Sequence, residues 1–364
     1  MKTKGKLSKF VRTSVSAVII IIAVACLCRR MPQCFGADEP AALAAALTLS
    51  DGTYKYERMT QKETVAQGDE EETTSPSAKV QTVSRKADEE KDKTGYYDTY
   101  ADHEGEEKYD IVSQHYGEDG ILCDNSYIKN HTGLDIDFES LLSEELPFEI
   151  EDNGSAQVLI YHTHTSESYM DEDVDYYFES FYSRTQNNDY NVTSVGNVLA
   201  DTLNSNGIKT LHDTTVHDLT YNGSYDRSMQ TIQSIMEHNT DIRVVIDIHR
   251  DAIGSDSYKV KPVFEYDGKQ GAQIMIMSGC DTDGEMGFEN WEENLNFALK
   301  IQNQAEKMYP GMTRPLNFGY FAYNEYLCNG SLLIEVGTDA NTIEEAEYTA
   351  ELLGNVLAEV LKEG

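Results

Sequence analysis

Short apolar runs alternate with longer amphipathic stretches over the C-terminal part of the chain. The runs Val158–Tyr161, Val244–Ile248 and Ser331–Ile334 are each four or five residues long, which is typical of buried strands. In Val195–Leu203 and Ile343–Val360, apolar residues recur at helical spacing, which predicts amphipathic helices. Strands that alternate with helices predict an α/β fold, with an open, mostly parallel twisted sheet flanked by helices.

Two local signals add detail to this pattern. Thr342 followed by Glu345 has the spacing of a capping box, so we expect the last helix to start at Thr342. Residues 258–266 alternate in polarity up to a turn at 267–268. After this turn, residues 272–277 are predicted to return as a single strand.

The first thirty residues combine a basic start with an apolar run. Five Lys and Arg residues lie between positions 2 and 12, and the run Val15–Cys28 follows them. The basic side of such a segment stays in the cytoplasm. We therefore expect an uncleaved signal-anchor over residues 1–30, in the cell membrane as a single pass, with the rest of the chain outside the cytoplasm. A cleaved signal peptide is the alternative.

Residues 31–110 are polar and biased in composition. The segments 68–76 and 86–93 carry almost no apolar residues, so they cannot bury enough surface to offset the entropy of ordering. We expect a disordered acidic linker over 31–110. The α/β domain is then predicted to cover residues 111–364.

Charge and cysteine content exclude some classes of function. The chain of 364 residues has 64 acidic and 29 basic residues, for a net charge of −35. A nucleic-acid partner is therefore excluded, since phosphate binding needs basic patches. The six cysteines show no Cys-x-x-Cys spacing, which argues against a disulfide scaffold and against thiolate ligands for zinc.

Chemically active side chains gather where the apolar runs end. They are His162, His164 and Glu167 after the first run, His249, Arg250 and Asp251 after the second, and Glu335 after the third. An open α/β sheet carries its chemistry at these strand ends. Only nine histidines occur in the chain, and three of them close apolar runs. Imidazoles and carboxylates together predict a divalent metal site, with Zn²⁺ as the best match.

A catalytic zinc site normally has three protein ligands and one open position. His164, Glu167 and His249 meet that number. Of the two histidines after the first run we favour His164 as the ligand, because it is nearer to Glu167 in the loop beyond the strand, and we leave His162 as the alternative. Glu335 remains as the general acid and base, which activates water and protonates the leaving amine.

The remaining polar residues are expected around the metal. Asp251 or Asp247 is predicted to orient His249, as carboxylates behind metal-bound histidines do. His162, Arg250 and Asp251 are expected either to contact the substrate or to support the ligands.

Four motifs resemble the stage II sporulation protein P family. They are Ile160–Tyr169, Tyr221–Ser228, Val245–Asp251 and Leu333–Gly337, in that order. The resemblance runs from about residue 120 to the end of the chain, and the N-terminal anchor matches the layout of that family.

The resemblance implies a function. The family is related to the zinc-dependent N-acetylmuramoyl-L-alanine amidases, and its members degrade septal peptidoglycan during engulfment of the forespore. It implies amidase and endopeptidase activities, a location at the sporulation septum and the engulfing membrane, and sporulation proteins D and M as partners. The family's metal-binding histidines match the His162/His164 pair and His249, and its catalytic glutamate matches Glu335.

Other functions are compatible with the same residues. A zinc peptidase or a polysaccharide deacetylase would use a similar ligand set, and a non-catalytic septal scaffold would bind glycan only. A scaffold has no physical need for the ligands and Glu335, which favours an enzyme.

Overall fold

A computed structural model describes residues 97–151, 153–255 and 257–363. The predicted anchor over 1–30 and residues 31–96 of the predicted linker lie outside the described residues. Residues 97–110 are described, and the first strand starts within them. None of the helices in the described ranges has the length and hydropathy needed to span a bilayer.

Thirteen strands and five α-helices are present in the described part of the chain. The strands are β1 (Lys108–Gln114), β2 (Ile121–Cys123), β3 (Ser126–Asn130), β4 (Val158–Tyr161), β5 (Tyr176–Phe178), β6 (Thr210–His212), β7 (Val244–Asp251), β8 (Gly254–Ser255), β9 (Tyr258–Tyr266), β10 (Lys269–Ala272), β11 (Ile274–Gly279), β12 (Leu316–Gly319) and β13 (Ser331–Thr338). The helices are α1 (Phe138–Ser143), α2 (Val192–Ser205), α3 (Ser224–His238), α4 (Trp291–Met308) and α5 (Ile343–Glu363). A 3₁₀ turn, Glu325–Leu327, precedes β13.

The main sheet contains eight of the described strands. Its order is β2-β3-β12-β11-β13-β7-β4-β6. The β2–β3 and β11–β13 pairs are antiparallel, and the other five pairs are parallel. The prediction of an α/β fold is confirmed, and the main sheet is mostly parallel.

Both faces of the main sheet are covered, as β4 illustrates. Val158 and Ile160 belong to the large core formed with α2, α4 and α5, whereas Leu159 and Tyr161 pack with Ile232 and neighbouring residues of α3. Side chains that alternate between two buried faces must all be apolar. This explains why the run reads as continuously hydrophobic.

A second, smaller sheet was not predicted. Its order is β10-β9-β1-β5, and β8 also pairs with β9. The strand expected over 272–277 is confirmed from Ile274 onwards, but it is interrupted at Gln273, because β10 ends at Ala272 in this sheet and β11 starts at Ile274 in the main sheet. Gln273 makes the change: its buried amide accepts from the Tyr116 N–H and donates to the Tyr116 carbonyl, both at 2.7 Å. The local alternation of polarity does not reveal this switch.

The capping box of the last helix is confirmed. Glu345 N donates to Thr342 Oγ1, and Thr342 N donates to Glu345 Oε2, both at 3.1 Å. Glu345 Oε1 also lies 2.9 Å from the buried ammonium of Lys261 on β9. One carboxylate therefore caps α5 and ties it to the smaller sheet.

We predict that Glu345→Ala lowers the free energy of unfolding by about 1–3 kcal/mol, because it removes the helix cap and the buried partner of Lys261. The ammonium of Lys261 then keeps only the exposed Asp173, at 2.6 Å. The neighbouring Glu344 is exposed, so Glu344→Ala serves as the control and should change stability by about 0.5 kcal/mol or less. Chemical denaturation of the two purified variants measures the difference. Equal stabilities would contradict the assigned role.

Candidate active site

Three adjacent parallel strands bring the predicted site residues together. β4 lies beside β7, and β7 lies beside β13. Tyr161 of β4 lies directly opposite Asp247 of β7, and His249 of β7 lies directly opposite Glu335 of β13. His249 and Glu335 lie inside their strands rather than just after them, since β7 and β13 continue to Asp251 and Thr338.

His164, Glu167 and His249 form one buried cluster. His164 lies in the turn that follows β4, Glu167 comes directly after this turn in a β-bridge with Arg184, and His249 is on β7. His249 Nδ1 is 3.3 Å from Glu167 Oε2. The rings of His164 and His249 stand perpendicular, with their centroids 5.3 Å apart. The three predicted ligands are therefore neighbours in space.

His162 faces away from this cluster. Its Nδ1 atom is 2.9 Å from the carbonyl oxygen of Ile248, and its Nε2 atom is 2.8 Å from Nε2 of His212. A Cβ atom on Gly196 of α2 would lie only 2.7 Å from His162 Nε2, so this glycine makes room for the histidine pair. Both ring nitrogens of His162 are engaged, which leaves His164 as the histidine of this segment with a nitrogen to offer.

Glu167 is ionised by its surroundings. Burial alone would raise the pKa of Glu167, but the Arg250 guanidinium and His249 outweigh it and hold this pKa well below its usual range. The Arg250 N–H donates to Oε2 at 3.2 Å, and Arg184 Nη2 is 3.4 Å from Oε1. The side chain of Arg250 also donates to the carbonyls of Ser168 and Ser183. Arg250 thus supports Glu167.

Asp247 is the carboxylate in contact with His249. Its Oδ1 atom lies 2.9 Å from His249 Nε2, without the alignment of a hydrogen bond. Thr163 holds Asp247 through its N–H and its hydroxyl, at 2.9 and 2.7 Å. Asp251, the other carboxylate considered, instead pairs with Arg314 at 2.9 Å. Burial would lower the pKa of His249, but Asp247 and Glu167 raise it well above its usual value.

The environment of Glu335 shifts its pKa in the direction opposite to that of Glu167. Burial and then the neighbouring Asp251 raise the pKa of Glu335 to about 8. Its Oε2 atom is shielded from solvent and has no hydrogen-bond partner among the described residues. A carboxyl group with a pKa near neutrality can both accept and release a proton under physiological conditions.

Aromatic and charged groups around the cluster were not predicted. Tyr221 stacks on His164 with ring centroids 4.6 Å apart, and Tyr225 lies 5.6 Å from the same ring. Arg184 bridges Glu167 to the buried Asp218, at 3.4 and 2.8 Å. The motif Tyr221–Ser228 carried a signal for the two tyrosines. Arg184 lies in a polar loop with no periodicity to indicate it.

The donor types of the cluster fit zinc, which proteins bind through imidazole nitrogen and carboxylate oxygen. His164 Nδ1 is buried and has no hydrogen-bond partner within the described ranges. His249 Nδ1 faces Glu167, whereas its Nε2 atom faces Asp247. Among those same residues, however, no group of three or more His, Cys, Asp and Glu side chains is spaced to hold a metal ion. The zinc site therefore stays a prediction.

Solved structures with some similarity include three amidases. N-acetylmuramoyl-L-alanine amidase AmiC2 of Nostoc punctiforme matches with a TM-score of 0.33 and 10% identity, over 58% of this chain and 98% of that one. The CwlD amidase from Clostridioides difficile, solved in complex with the GerS lipoprotein, matches with a TM-score of 0.33 and 13% identity, over 57% and 97%. Ami1 from Mycobacterium smegmatis matches with a TM-score of 0.34 and 13% identity, over 60% of this chain and 100% of that one.

Sequence relatives give the identification. Stage II sporulation protein P of Bacillus subtilis (strain 168) is 30% identical over 224 residues, which are 56% of this chain and 50% of the relative. The match thus spans about half the length of that relative. The sequence profile of the stage II sporulation protein P family (SpoIIP) matches residues 38–358. This match covers most of the 364 residues, and the chain therefore belongs to the stage II sporulation protein P family.

Proposed function

We propose that this chain is a membrane-anchored, zinc-dependent peptidoglycan hydrolase that degrades the septal cell wall during sporulation. Its main activity is that of an N-acetylmuramoyl-L-alanine amidase, which cuts between the lactyl group of muramic acid and L-alanine. The observation that carries the proposal is the convergence of His164, Glu167, His249 and Glu335 at one point beside the strands β4, β7 and β13. Family membership supports the substrate and the setting.

Zinc would be held by His164, Glu167 and His249. When bound there, it supplies Lewis acidity, which activates a water molecule and polarises the substrate carbonyl. Glu167 is already ionised, as a ligand must be, and Arg250 keeps it in position. Burial lowers the pKa of His164 to about 4, so its imidazole is neutral at neutral pH. His249, whose pKa is raised by Asp247 and Glu167, would have to lose its proton when zinc binds.

Glu335 moves the proton in this proposal. Its carboxylate takes a proton from the attacking water and then delivers it to the nitrogen of the leaving L-alanine, whose bond to the lactyl carbon breaks. The pKa of about 8 supports both steps, because neither form of Glu335 is strongly favoured near neutrality. Asp247 orients His249 by facing its Nε2 atom.

The setting of the enzyme follows from the N-terminal sequence and from the family. We propose an anchor over 1–30, a linker over 31–110 and a catalytic domain over 111–364, outside the cytoplasm at the sporulation septum. The proposed partners are sporulation proteins D and M, and endopeptidase activity is proposed as a second activity.

Product analysis on purified sacculi tests the proposed reaction. We predict new N-terminal L-alanine on the released peptides, together with intact glycan strands. Free amino groups on the sugars of the glycan strand would instead indicate a deacetylase. Cuts confined to peptide cross-links would indicate a peptidase. Either result without new N-terminal L-alanine would contradict amidase activity.

Glu335→Gln tests the role of the glutamate, since it keeps the shape and removes the proton carrier. We predict that turnover on sacculi falls by about 10²–10⁴-fold, while the zinc content is retained. Glu265→Gln is the control, since Glu265 is exposed on β9, and it should retain normal turnover. If Glu335→Gln loses zinc but stays folded, Glu335 is a ligand, and near-normal turnover would reject its catalytic role.

A further inference from the structure

A groove with a volume of about 790 Å³ opens beside the candidate active site. Tyr182, Arg184, Gln186, Asn188, Asp218 and Leu219 are among the residues that line it. Its volume is within the range of small-ligand sites. The groove lies next to the cluster, because Arg184 contacts Glu167 and its guanidinium lies 5.4 Å from the ring of Tyr221, which stacks on His164.

Both walls of the groove are attached to the segment that carries the predicted ligands. On one side, Thr185 N donates to the carbonyl of Ser166 at 2.7 Å. On the other side, Ser166 Oγ donates to Asp218 Oδ2 at 2.6 Å. Ser166 lies between His164 and Glu167 in sequence. A ligand in the groove would therefore be positioned directly relative to these two side chains.

The charge of the groove favours a neutral ligand. Of the residues that line it in the described structure, Arg184 is the sole cation and Asp218 the sole carboxylate. They are paired at 2.8 Å, and the second Arg184 nitrogen faces Glu167. The stem peptides of peptidoglycan carry carboxylates, which would need an unpaired cation here in a chain of net charge −35. The glycan backbone of peptidoglycan carries no such carboxylates and needs no unpaired cation in the groove.

The exposed side chains of the groove suit a sugar polymer. Tyr182 and Leu219 are largely exposed at its rim, at 69% and 73%. Gln186 and Asn188, also exposed, add amide groups. Aromatic rings pack against the apolar faces of sugar rings, and amides hydrogen-bond to hydroxyl and acetamido groups.

We propose that this groove binds the glycan strand of peptidoglycan and positions the muramic acid at the catalytic cluster. The proposal rests on the proposed function for the identity of the polymer, and it adds the part of the polymer that the enzyme holds. Tyr182 then contributes to substrate binding and takes no part in the chemistry.

Binding of peptide-free glycan to the full chain tests this inference. The probe is a β-1,4-linked hexamer of N-acetylglucosamine, and isothermal titration calorimetry measures its Kd. Tyr182→Ala should weaken binding by about two- to tenfold, whereas Tyr182→Phe should retain it. Tyr100→Ala is a matched control, because Tyr100 has the same exposed fraction of 69% and is not among the groove residues.

The outcomes separate this subsite from the proposed function. A hexamer that fails to bind, or whose Kd is unchanged in Tyr182→Ala, rejects the glycan subsite even if the chain releases N-terminal L-alanine from sacculi. A free stem peptide that binds, and binds more weakly to Tyr182→Ala, would assign the groove to peptide instead. Hexamer binding that depends on Tyr182, in a chain that does not cut sacculi, keeps the subsite and rejects the amidase proposal.

Discussion

The buried carboxylate of Glu167 is the interaction on which the site depends. Removing a charge from water costs several kcal/mol unless opposite charges and hydrogen bonds compensate. For Glu167 the compensation comes from His249 and Arg250 on β7 and from Arg184 in the loop that forms one groove wall. One carboxylate thus connects the turn after β4, the neighbouring strand and the groove. The contacts that keep Glu167 ionised therefore also hold the turn after β4, β7 and the groove wall together.

The two central glutamates occupy opposite environments. Glu167 is surrounded by cations, which hold its pKa well below the usual range, whereas burial and Asp251 raise the pKa of Glu335 to about 8. Environments that separate the pKa values of nearby carboxylates are how enzymes assign an anionic role to one and a proton-transfer role to the other. This contrast supports Glu167 as a ligand and Glu335 as the acid and base.

Strands, helices and site residues were predictable where the sequence pattern that indicates them lies within a single strand or helix. The apolar runs before His164 and His249 and the capping box of Glu345 are local patterns, and the structure contains them. The second sheet could not be predicted, because the switch at Gln273 depends on its contacts with the distant Tyr116. Arg184 was missed for the same reason, since only folding brings it to Glu167.

X-ray absorption at the zinc edge tests most directly whether His164, Glu167 and His249 hold one zinc ion. The spectrum of the full chain with one equivalent of zinc should show two imidazoles and oxygen donors, without sulfur. One imidazole should disappear in either His164→Ala or His249→Ala, and both should remain in His162→Gln. A sulfur ligand, or a spectrum that neither alanine variant changes, would contradict the account.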